Sequence, residues 1–283
     1  MMVEPQNIVG DYAGTDELLA LAQSGSLGGF RPIRVLRSGR IGPLVELASA
    51  RRLHPAVYAR VTAEAPFAKA LERAIGDGAI CGLQRSARFG VFPLVHLGPD
   101  GDPSDQWTLW FSRADQAARS AGFTNLTAAM IMGAFGELQD NVFRHSQAYS
   151  SGVVAFAITR DGFELVVSDR GVGVLGSLRT HPDYADLRDA GDALRHALAN
   201  GESRFGRDSG CGVGIGQIFR ALANQDGDLR FRSDDHVLDI RGDSPTLQGQ
   251  LEVRHKATLP GFTVSVLCRP FGRCPDQPQR RWP

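Results

Sequence analysis

The chain has 283 residues, 31 basic and 31 acidic side chains, and 42% hydrophobic residues. That length can bury the core of one large or two ordinary domains, and the balanced charge argues against a protein built around an electrostatic nucleic-acid surface. Four cysteines without CxxC spacing, no basic start running into an apolar stretch, and no segment near the roughly 18 apolar residues of a membrane helix argue against a zinc or redox motif, a signal peptide and a membrane partner; the expectation is a soluble, cytoplasmic globular protein.

Residues 1–20 are polar and mixed. A short strand is expected over 32–36. A helix follows over 41–53, with Leu44, Leu47, Ala48 and Leu53 on one face, and another over 66–75, ending at Gly76. Residues 79–83 and 89–97 read as strands. The run GPDGDPSD at 98–105 is a loop by composition. The boundary is placed there: a small α/β unit over 1–105, a second domain over 106–271, and a disordered tail over 272–283. The longest helical pattern covers 125–145, with Ile131, Ala134, Phe135, Leu138 and Val142 in one stripe. Two apolar strand-like runs, 152–160 and 163–168, flank Asp161-Gly162, a strong hairpin signal. A helix is expected over 186–199 and another over 215–224, after a glycine-rich segment. Strands are expected near 228–233, 249–255 and 262–269.

Three segments carry candidate chemistry. In ELQDNVFRHS, Glu137, Asn141 and Arg144 fall at i, i+4 and i+7 and share a helix face beside the apolar stripe, with Asp140 at its edge. A carboxylate, an amide and a cation at the rim of a core suit an ion and phosphate site. In SDRGVG, Asp169 closes an apolar strand, where an acid can accept from an exocyclic amino group, and Gly171 and Gly173 let backbone approach a ligand closely. In GCGVGIG, Gly210, Gly212 and Gly214 open a helix, and bare amides at a helix start form an anion site.

The order of these motifs over about 107–269 resembles the Bergerat-fold ATPases, the superfamily of gyrase B subunits, MutL proteins, chaperone ATPase domains, sensor histidine kinases and anti-sigma serine kinases. ELQDNVFRHS resembles the family's N box, SDRGVG its first glycine box and GCGVGIG its second. The resemblance implies an α+β fold: a Bergerat α/β sandwich, its mixed and mainly antiparallel sheet carrying helices on one face, preceded by the small α/β unit. It implies ATP and Mg2+ as cofactors. Asn141 would hold the metal, Glu137 would serve as general base, and Asp169 would bind the adenine amino group, with Gly171 and Gly173 beside the base. Gly210, Gly212 and Gly214 would wrap the phosphates at the end of a mobile lid over 174–209. Arg144 and His145 match a pair that touches phosphate in many kinases.

A glutamate at 137 leans toward hydrolysis or serine/threonine phosphorylation. His54 and His96 lack the flanking pattern of a phosphoacceptor histidine, which argues against histidine autokinase activity, and Lys256, on a late strand, reads as surface rather than as a γ-phosphate ligand. The segment IGPLVELASARRL resembles the STAS-like units found beside some bacterial Bergerat ATPases, implying a regulatory or partner-binding role for residues 1–105. Two functions follow as expectations: a magnesium-dependent ATPase or protein kinase in bacterial signalling, or a non-catalytic nucleotide-dependent switch that holds a partner protein. Either is compatible with a homodimer. A dinucleotide oxidoreductase fits poorly, because its glycine fingerprint should open the first βα unit.

Overall fold

The computed structural model describes residues 6–29, 32–36, 39–98, 103–200, 227–240 and 253–270. The chain begins as an alternating unit of β1 (Gln6–Val9), α1 (Tyr12–Gln23), β2 (Ile33–Leu36), α2 (Gly42–Leu53), β3 (Val61–Ala63) and α3 (Pro66–Asp77), with the three strands parallel in the order β1-β2-β3. Then come β4 (Phe89–Pro93), α4 (Asp105–Ser120), α5 (Asn125–His145), β5 (Val153–Ile158), β6 (Phe163–Asp169), α6 (Gly173–Leu178), α7 (Ala190–Asn200), β7 (Asp228–Ile240) and β8 (Val253–Cys268). These five strands form an antiparallel sheet in the order β4-β5-β6-β8-β7.

Local chemistry sets the helix starts. Asp11 accepts from Gly14 N–H at α1, Ser104 from Trp107 N–H at α4, and Thr124 from Thr127 N–H at α5. Pro43 and Pro66 occupy first turns, where a missing N–H leaves nothing unpaired. α3 runs past Gly76 and stops at Gly78, the residue that takes the left-handed conformation.

The five-stranded sheet is buried on both faces. On one face Trp107, Trp110, Phe135 and Leu138 of α4 and α5 pack against Phe92, Phe156, Leu165, Phe231 and Val264. On the other, Val91, Val153, Ala155, Ala157 and Val166 pack against Leu18, Val45 and Leu71 of the N-terminal unit. Within 106–271 the helices lie on the first face, as expected; α1 and α2 of the N-terminal unit cover the second. Double burial is why β5 and β6 read as unbroken apolar runs rather than alternating ones.

Several other expectations change. The loop at 98–105 joins rather than divides, because β4, before it, pairs with β5, after it. Residues 79–83 form no strand; Cys81 makes a single bridge to Val91. β4 stops at Pro93, and residues 94–96 turn into a 3-10 helix. β7 continues to Ile240, and the two strands expected at 249–255 and 262–269 are one, β8. Pro260-Gly261 lies at a register shift in the β7–β8 ladder, where a proline removes no cross-strand bond.

The layer between the N-terminal unit and the sheet also holds buried charge. Glu46 of α2 accepts from Arg230 (2.9 Å) and Arg232 (3.0 Å), and Asp16 of α1 accepts from both arginines. Glu164 of β6 accepts from the N–H groups of Ile41 (2.6 Å) and Gly42 (3.1 Å) at the start of α2, and pairs with Arg40 at 3.0 Å. A carboxylate from the sheet thus fills the helix N-terminus, where amides and dipole favour an anion. Lys256, expected at the surface, pairs with Asp16 at 3.1 Å. Among the described residues no helix is long and apolar enough to cross a membrane.

Candidate functional site

α5 carries the acid–amide face. Ile131, Phe135, Leu138 and Val142 are buried as its spacing predicts, while Glu137 is exposed and Asn141 half-buried on the adjoining face. Arg144 pairs with Asp140 one turn earlier at 2.6 Å, with both side chains about half exposed. Such a solvated i,i+4 pair contributes only a few tenths of a kcal/mol, so it yields readily to a better anion. His145 ends the helix.

The last turn of α5 is docked on the turn after β6. The carbonyl of Ser146 accepts from Val172 N–H at 3.0 Å, and a Cβ on Gly171 would collide with that same carbonyl. Arg170 N–H donates to Ser151 Oγ at 2.9 Å. Asn141 stands five residues before Ser146, about 7 Å along the helix axis, and Glu137 about one turn further. The sheet and helix therefore bring the first two motifs to one end of the α5/β6 layer.

Asp169 is the last residue of β6, on the face toward α5, and is 3% exposed. Its Oδ1 accepts from Gly171 N–H at 2.6 Å. Burial pushes its carboxyl up to about 7; the Gly171 bond and Arg170 pull it down, and the Asp234 carboxylate adds to the rise. Gly173, at φ +65°, begins α6, and Val174 N–H donates to Ser233 Oγ at 3.0 Å. Asp234 Oδ2 would lie 2.5 Å from a Cβ on Gly173, and Asp234 Oδ1 accepts from Gly261 N–H at 3.3 Å.

Ser233, Asp234 and Gly261 thus belong to the turn's surroundings, and the sequence motifs do not mark them. Their only signals are the SDD run, which interrupts the alternating pattern of β7, and the Leu-Pro-Gly in β8. Asp234 holds φ +50° at a β-bulge, a conformation uncommon for a residue with a side chain.

The segment expected as a lid is partly folded: α6, a 3-10 turn at Pro182–Tyr184 and α7 share a small core of Leu178, Tyr184, Leu187 and Ala193. α7 packs on β7, where Gly191 lies against the His236 ring. Gly210, Gly212 and Gly214, the rest of the 174–209 segment beyond residue 200, the helix expected over 215–224 and the expected tail at 272–283 lie outside the described residues. Cys268 is buried and its thiol is pushed up to about 12 by burial, which leaves it unreactive. None of the family models, curated proteins or solved structures compared with the chain matches it.

Proposed function

We propose that the chain is a magnesium-dependent ATP-binding protein of the Bergerat type, which hydrolyses ATP or phosphorylates a protein serine or threonine in bacterial signalling in the cytoplasm. One observation carries the reading: a buried acid, Asp169, sits in a glycine turn docked on the C-terminal end of the helix that bears Glu137 and Asn141. The order of elements supports it, with the acid–amide helix, the β5–β6 hairpin, the acid–glycine turn, a helical segment and a final antiparallel strand pair in succession.

The residues fit the cofactors. Asp169 forms no ion pair among the described residues and gives Oδ1 to Gly171 N–H, so Oδ2 is the oxygen that would accept from a donor such as the adenine amino group. No group of three or more His, Cys, Asp or Glu among the described residues forms a metal cage; Asn141 would be a single oxygen donor to an ion otherwise held by phosphate oxygens and water, as magnesium prefers. Magnesium, when bound, neutralises triphosphate charge. Glu137 accepts the proton of a water or an acceptor hydroxyl, Arg144 and His145 approach phosphate from the end of α5, and Gly210, Gly212 and Gly214 offer amides to it.

A second reading, a nucleotide-dependent switch without turnover, is favoured by the ionic layer, because β7 carries Arg230 and Arg232 on one face and Ser233 and Asp234 at the turn. The substitution Glu137→Ala separates the two. ATP affinity should stay within about twofold, while phosphate release falls by about 10²–10⁴-fold, the usual worth of a general base. Unchanged release would overturn the catalytic role of Glu137 and leave the switch.

A further inference from the structure

A groove of about 680 Å³ runs between α1 and the first half of β8, within the size range of ligand clefts. Leu18 and Leu19 bury the far side of α1 and fix the helix, while the groove side carries Ala13 and Ala20, both exposed and two turns apart. Such small side chains leave the cleft open. From Ala13 to Gln23 this wall is about 15 Å long, which an extended segment of about five residues spans.

The other wall is an unfinished strand edge. β6 pairs with β8 only from Phe262 onward, whereas β7 pairs with it down to Val253. Residues 253–261 therefore have β7 on one side and, among the described residues, no strand on the other. An edge of this kind carries unpaired N–H and C=O groups at alternate residues. Among the described residues no backbone–backbone bond outside the β7–β8 ladder reaches 253–257. Thr258 N–H is turned to α1, where Gln23 Oε1 accepts it at 3.0 Å. A side-chain amide thus stands where the carbonyl of an added strand would.

The charge behind the groove selects its occupant. Among the described residues Arg230, Arg232, Arg254 and Lys256 share Asp16, Glu46 and Asp239, four cations to three carboxylates. The two buried guanidiniums are filled by Asp16, Glu46, Asp239 and the Ala257 carbonyl. Lys256 reaches Asp16 Oδ2 at 3.1 Å with one of its three N–H donors, so the surplus charge meets the groove as the remaining donors of this ammonium. His255 is matched by Asp235 at 3.3 Å. Glu17, the other acid of the groove, is exposed, and water and salt screen it more than they screen the buried layer. We infer that the groove binds an extended acidic segment of a partner protein, which adds to β8 as a strand and sets a carboxylate on Lys256. Main-chain bonds to the open edge supply affinity, and the lysine supplies selection. A second copy of the chain fits worse, because antiparallel self-pairing of this edge would set Arg254 against the Lys256 of the other copy. The inference is independent of the nucleotide reading.

The test titrates the whole chain into a fluorescein-labelled peptide of about ten alternating valine and glutamate residues, and into a valine–lysine counterpart of the same length. Fluorescence anisotropy should show the acidic peptide binding at least about tenfold more tightly than the basic one. Lys256→Gln should weaken the acidic peptide by about tenfold, the worth of a hydrogen bond to a charged group. Ala20→Trp fills the groove from an exposed helix position without touching the ionic layer, and it should weaken binding by about tenfold or more. Amide exchange over 253–258 should be fast in the chain alone and slowed by the acidic peptide. Failure of the acidic peptide to bind saturably, or equal binding of the two peptides, overturns the inference. So does an edge already protected in the chain alone, which would mean that another segment or a second copy fills it. Should Lys256→Gln disturb folding, Ala20→Trp decides: unchanged affinity in that variant places the peptide elsewhere and overturns the site.

Discussion

At the scale of single residues, Asp169 is a buried acid placed at a cost to stability. In the unfolded chain its carboxyl ionises near 3.8, and in the folded protein near 7. Between those values the folded state holds more protons than the unfolded one, so this residue makes stability fall as pH rises through about 4 to 7. Asp169→Asn keeps an oxygen for Gly171 N–H and removes the charge. Chemical denaturation should show the variant equal to wild type near pH 4 and more stable at pH 8, by up to about 4 kcal/mol. Equal stability at both pH values would show that Asp169 is solvated. That Asp169, Gly171 and Gly173 share one turn was legible in the sequence because they are neighbours in the chain. Ser233 and Asp234 were not: the Ser233–Val174 bond spans 59 positions, and nothing local marks it.

At the scale of elements, legibility follows how sharply burial divides a segment. The stripe of α5 and the apolar runs of β5 and β6 stand out, because each contrasts with its flanks. α1 and α4 are missed for the opposite reason. The core positions of α4 are Trp107, Trp110, Ala114, Ala117 and Ala118, and alanine hardly differs in pattern from a polar surface. In α1 the buried face mixes Gly14 and Thr15 with Leu18 and Leu19. β8 reads as two strands because Pro260 ordinarily ends one; a bulge in β8 itself, opposite Ser233 and Asp234, absorbs it.

At the scale of the molecule, the placement of the N-terminal unit was not legible at all. Its contacts with the sheet join Glu46 to Arg230 and Arg232, 184 and 186 positions away. The layer is charged, so hydropathy does not reveal it. Breaking a buried pair from one side strands the other charge. Glu46→Ala should therefore cost about 3 kcal/mol or more in equilibrium unfolding, and a loss below about 1 kcal/mol would mean that Asp16 and Asp239 alone satisfy both arginines. Because β7 carries these arginines and then Ser233 and Asp234, a weakened layer should also loosen the turn that holds Asp169.

The central claim is that the end of α5 and the Asp169 turn form one purine nucleotide site. Isothermal titration of the purified chain with ATP, with and without magnesium, tests it most directly. The account predicts saturable binding at one site per chain, tightened at least severalfold by magnesium. Heats indistinguishable from dilution under both conditions would contradict it.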